Sequence, residues 1–76
     1  MPAPKLPLTA ARRRALLLLA GSPEGCTETV MVAHGFAAEF LAELVREGLA
    51  TSTVENLRTG HRTRLRITPH GWQALA

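Results

Sequence analysis

Apolar residues follow two rhythms along this chain, helical in the first two thirds and alternating afterwards. From Ala10 to Ala20 the segment AARRRALLLLA consists of strong helix formers, and Thr9 stands before it as a candidate N-cap. Its leucines are too continuous for a narrow stripe, so Leu16 and Leu19 are expected to face the core and Leu17 or Leu18 to meet another element. Gly21, Ser22, Pro23 and Gly25 then close the helix in a turn. Cys26 begins the return path, and Thr27 is expected to cap a short second helix ending near His34, with the Glu28 carboxylate by the free N–H groups of its first turn. Gly35 allows the positive φ that a sharp corner between helices needs. A third helix is predicted from about Phe36 to Glu47, where Ala37, Leu41, Leu44 and Val45, and Leu49 beyond the end, repeat at three-and-four spacing. Gly48 supplies its stop.

From Ala50 the period becomes two. Thr51 to Val54 is mostly β-branched, Arg62 to Thr68 alternates polar and apolar residues, and Arg58-Thr59-Gly60-His61 between them reads as a hairpin turn. Strand geometry places Thr63, Leu65 and Ile67 on one face and Arg62, Arg64 and Arg66 on the other. Thr68-Pro69-His70-Gly71 then opens a last short helix, with Thr68 as cap, Pro69 at the tolerated first position, and Trp72 and Leu75 packing back, Trp72 as a cap over the hairpin.

Composition narrows the class. The chain has 76 residues, enough for one domain with a single small core near the lower size limit for folding without disulfides or metal. Phe36, Phe40 and Trp72 are the only aromatics, so the core must be mainly aliphatic, which favours an α+β fold that is mainly α. Residues 1–8, rich in proline, are expected to be a flexible leader, and residues 9–76 a single domain. Cys26 has no second cysteine to pair with, which fits a reduced, cytoplasmic setting. Arg12 to Arg14 followed by Ala15 to Ala20 imitates a signal peptide, but the apolar run is short and a helix is expected there instead. No stretch is long enough to span a membrane.

The net charge is +3, unevenly placed. The first third carries Lys5, Arg12, Arg13 and Arg14 against Glu24. The middle carries Glu28, Glu39, Glu43 and Glu47 against Arg46, and the last third Arg58, Arg62, Arg64 and Arg66 against Glu55. Basic ends around an acidic middle suggest an anionic partner, most commonly nucleic acid.

Two motifs carry a resemblance. LAELVREGLA, with Leu41, Leu44, Gly48 and Leu49, has the spacing L-x-x-L-x-x-x-G-L followed by a small residue, and RLRITPHG, from Arg64 to Gly71, is a strand running into T-P-x-G. With the order helix, helix-turn-helix, basic hairpin, these make nearly the whole chain after Thr9 similar to winged helix-turn-helix transcriptional regulators of the MarR-like kind. The resemblance implies three helices followed by a β-hairpin wing and a short C-terminal helix. It implies that the third helix enters the major groove of double-stranded DNA and that the wing touches phosphates or the minor groove.

The wing candidates are Arg58, His61, Arg62, Arg64 and Arg66, a cluster suited to phosphates. On the third helix the outward positions are Ala38, Glu39, Ala42, Glu43 and Arg46, expected to give modest base selection. Arg12, Arg13 and Arg14 are read chiefly as solubilising. Glu39, Glu43 and Glu47 advance only about 40° per step around an ideal helix and form an acidic ridge beside Phe40. That ridge motivates an alternative: a protein-protein interaction module, or a homodimer, using the acidic helix with Phe36 and Phe40 as interface. Cys26, His34, His61 and His70 show no paired metal-ligand spacing, so no metal and no cofactor are expected. The chain has no Asp and no Tyr, and neither Ser22 nor Ser52 has a recognisable base, so enzymatic activity is not expected.

Overall fold

A computed structural model describes residues 8–76; of the leader expected over residues 1–8, all but Leu8 lies outside the described residues. The elements run α1 (Ala10–Ala20), β1 (Cys26–Thr27), α2 (Glu28–Ala33), α3 (Ala38–Arg46), β2 (Ala50–Leu57), β3 (Gly60–Ile67) and α4 (Pro69–Leu75). The fold is α+β, with about half of the described residues helical and an antiparallel three-stranded sheet of order β1-β3-β2. None of the described helices is long and apolar enough to cross a membrane.

Threonines start three of the helices as their hydroxyls dictate. Thr9 Oγ1 accepts from the Arg12 N–H at 3.1 Å, Thr27 Oγ1 from Val30 at 3.3 Å and Thr68 Oγ1 from Gly71 at 2.9 Å. Each such cap contributes about 1 kcal/mol. Gly35 and Gly48 take positive φ (97° and 76°) at the two ends of the α3 region. The third helix itself starts later than its sequence pattern suggests. Ala37 is the N-cap, in extended backbone and exposed, with no side-chain oxygen to offer, so it does not belong to the buried stripe.

The core lies where the helices meet the inner face of the sheet. Leu16 and Leu19 of α1, Met31 of α2, Leu41 and Leu44 of α3 and Leu65 of β3 are all buried. Of the two uncertain leucines on α1, Leu18 packs against this core and Leu17 stays half exposed. Leu8 also packs against it.

Three further features differ from expectation. The segment after Gly25 contains a strand, β1, whose Cys26 stands opposite Leu65 and Thr27 opposite Arg64. The hairpin loop is only Arg58-Thr59, because Leu57 already pairs with Gly60. Trp72 is 53% exposed and does not join the hydrophobics packed against the core. The inward place on α4 belongs to the neighbouring Gly71, and one residue further along a helix turns the side chain by about 100°. Ala74 and Leu75, three and four positions after Gly71, pack against the core instead.

Gly71 is a close-approach glycine. A Cβ there would stand 2.3 Å from the Leu49 carbonyl oxygen and 2.7 Å from Ile67 Cγ1. That carbonyl already accepts the Thr68 N–H at 3.1 Å and cannot retreat freely. Gly71→Ala should therefore cost about 1–3 kcal/mol by overpacking, measured by urea unfolding. Trp72→Ala should cost well under the roughly 3–5 kcal/mol of a buried tryptophan. A larger loss at Trp72 than at Gly71 would contradict this packing.

Candidate nucleic-acid interface

The hairpin register decides which side chains share a face. Ser52 stands opposite Leu65, Thr53 opposite Arg64, Val54 opposite Thr63, Glu55 opposite Arg62 and Asn56 opposite His61. Since cross-strand partners share a face and neighbours alternate, Ser52, Val54, Asn56, His61 and Thr63 lie with Leu65 on the inner face. Thr51, Thr53, Glu55, Arg62, Arg64 and Arg66 form the outer face.

The structure thus divides the residues expected to bind together. Arg62, Arg64 and Arg66 share the outer face, as their alternation implies. His61 belongs to the inner face and Arg58 sits in the loop at the hairpin tip. α3 packs on the inner side, so its outward residues and the three arginines do not form one surface.

Glu55 organises the outer face. Arg62 Nε donates to its Oε1 at 2.8 Å and Arg64 Nε to its Oε2 at 3.1 Å, so one carboxylate holds two guanidinium groups. Arg64 Nη1 also donates to the Glu24 carbonyl at 3.3 Å, joining the hairpin to the segment before β1. The Arg64 side chain is only 15% exposed, against 46% for Arg62. Arg64 is therefore largely a structural residue. Arg58 and Arg66 are exposed and have no ion pair among the described residues.

On α3, Ala38, Glu39, Ala42, Glu43 and Arg46 are all exposed, as expected. Ala38, Ala42 and Arg46 border an open groove of about 300 Å³ whose other bank is Ser52 and Thr63, with Leu41 and Leu65 among its lining residues. The acidic ridge is partly answered from α1. Arg12 pairs with Glu47 and approaches Glu43 at 3.9 Å, and Arg46 approaches the same Glu43 at 3.9 Å. Arg12 is thus a bridge between α1 and the α3 end, a role its place in an arginine run did not reveal. Such exposed pairs contribute only about 0–1 kcal/mol each. Glu39 has no ion pair among the described residues.

Phe36 and Phe40 are half-buried, stacked with ring centroids 5.8 Å apart and an interplanar angle of 17°, and both pack against the core. Among the described residues no three His, Cys or Glu side chains gather as a metal set. No family model, curated protein or solved structure matches the chain.

The hydrogen bonds from Arg64 first and Arg62 second hold the Glu55 carboxyl below its ordinary pKa, and the same contact raises that of Arg64. For a carboxyl lowered in the folded state, the stabilisation is present above the unfolded-state pKa and is lost as pH falls through the lowered folded value. The stability gap between wild type and Glu55→Gln should therefore be largest near neutrality and close in acid, as read from urea midpoints across pH. A gap that survives full protonation would assign the effect to packing.

Proposed function

We propose that this chain is a winged helix-turn-helix domain, similar to MarR-like regulators, which binds double-stranded DNA in the cytoplasm and regulates transcription. The observation that carries the reading is the element order. A helix, a short strand, two helices joined through Gly35, and a hairpin that returns to pair with the first strand support a winged helix by their order. In this reading α3 is the recognition helix and the β2-β3 hairpin the wing.

The chemistry of the surfaces supports a division of labour. Ala38 and Ala42 are small enough to let the α3 backbone come close to base edges. Glu39 and Glu43 can accept from cytosine amino groups, and Arg46 offers the one cationic fork on that face. Base selection by such a set is modest. Affinity comes mainly from phosphates neutralised by Arg58 at the wing tip and Arg66 on its outer face, with counterions released. Arg62 and Arg64 contribute only to the extent that phosphate competes with Glu55.

Fluorescence anisotropy with a random-sequence duplex at two salt concentrations tests this. Wild type should bind in a salt-sensitive way, and Arg58→Ala and Arg66→Ala should each flatten the log-log salt slope by about one unit. Glu55→Gln, which releases two guanidinium groups, should tighten binding. Absence of salt-dependent binding would overturn the proposal.

A second reading is favoured by the exposed, unpaired Glu39 beside the half-exposed Phe36 and Phe40 stack: a winged-helix module that docks protein on its acidic third helix. Phe40→Ala should then change the captured partners or the sedimentation behaviour. An unaltered partner set and oligomeric state would count against it.

A further inference from the structure

β2 is an edge strand, and it lacks the devices that edge strands use to stay single. It flanks β3 on one side only, and Thr51, Ser52, Thr53, Val54, Asn56 and Leu57 are exposed along it. The strand contains no proline, lysine or arginine. Its one charge, Glu55, is already held by Arg62 and Arg64. The opposite edge of the hairpin differs, because β1 covers β3 at Arg64 and Leu65 and Arg62 stands beyond it. An extended edge with no unpaired charge and with free N–H and C=O groups is a template for another strand.

The groups on offer can be identified. The two-residue loop makes Leu57 and Gly60 the closing hydrogen-bonded pair. Bonded and non-bonded pairs alternate in an antiparallel ladder, so Glu55 and Thr53 also bond to β3. The N–H and C=O of Ser52, Val54 and Asn56 therefore point to the open side. The other edge agrees: Leu65, in a non-bonded pair with Ser52, turns its own backbone groups to Cys26 of β1.

We infer that two copies of this chain join through antiparallel pairing of their β2 strands about a two-fold axis at Val54, making one continuous sheet. Val54 is the midpoint of the exposed stretch from Thr51 to Leu57, so this register gives that stretch its full overlap. It sets Val54, 60% exposed in the single chain, against its own copy. On the same inner face Ser52 meets Asn56 of the other copy. On the outer face Thr53 meets Glu55, whose carboxylate can accept a hydroxyl besides its two arginines, and the exposed Leu57 meets Thr51. Sliding the copies so that the axis falls at Glu55 would set two carboxylates face to face, and sliding them the other way leaves Leu57 without a partner. The strand is thus complementary to itself in charge and length, as an isologous interface requires.

Sedimentation over a range of concentrations tests this, together with isotope-filtered NMR on a mixed labelled sample. Wild type should show a reversible dimer with contacts between Val54 methyl groups of different copies. Val54→Lys, placing like charges across the axis, should raise the dimer dissociation constant by about tenfold or more. Val54→Pro removes only an outward N–H, so it should block dimerisation while leaving the β2-β3 bonds and the melting transition in place. Leu17→Lys, at an exposed apolar residue on α1, should leave the dimer intact. Should the proline variant fold poorly, the lysine variant and the intermolecular contacts still decide. A wild type that stays monomeric at all concentrations overturns the inference, including one that pairs only with an added peptide. So does a dimer that survives both Val54 variants or is lost with Leu17→Lys.

Discussion

Burial of Leu65 joins the sheet to the helices, and the disposition of almost every charged group on the hairpin depends on it. Leu65 is the buried residue of the central strand, flanked by Cys26 on one side and Ser52 on the other, and its side chain enters the core formed by α1, α2 and α3. With a side-chain period of two, that single inward residue commits Arg64 and Arg66 to the outside, and their cross-strand partners Thr53 and Thr51 with them. A slip of one residue would turn the arginines into the core at a cost of several kcal/mol per uncompensated charge. One leucine therefore sets the electrostatics of a surface it never touches.

The fold also redistributes charge that the sequence keeps in blocks. Arg12, from the basic first third, answers Glu47 and Glu43 of the acidic middle, and Glu55 occupies two of the arginines around it. The field available to an anionic partner is correspondingly weaker than a residue count suggests, and on the hairpin it is concentrated at the tip and at Arg66, with Arg13 and Arg14 exposed on α1. This matters most near the surface, where unscreened charges act over about a Debye length.

Most of the architecture was legible because it rests on local rules. The limits of α1, the three threonine caps, the corners at Gly35 and Gly48 and the alternation of the last strand each follow from one residue type in one backbone setting. What escaped depends on tertiary approach. β1 is two residues long, too short to show a period, and exists only because Leu65 has backbone groups to pair. The sequence pattern suggests Trp72 as a cap over the hairpin, whereas the closeness of α4 to Leu49 reserves the inward place for Gly71. The spacing of Arg62, Arg64 and Arg66 places them on one face without any tertiary information. The shared grip of Arg62 and Arg64 on Glu55 requires the register, which the two-residue loop Arg58-Thr59 sets.

Thr68 does more than start the last helix. Its hydroxyl accepts from Gly71 and donates to the Gly48 carbonyl, while its own N–H donates to Leu49. The exit of α3 and the entry of α4 are thus pinned by one residue, although twenty positions separate Thr68 from Gly48 in the chain. Fraying of the C-terminal turn cannot proceed past Thr68 without releasing the corner that orients α3. Opening of α4 at Thr68 therefore also releases the backbone at the exit of α3, so the C-terminal helix acts as a latch on the end of α3.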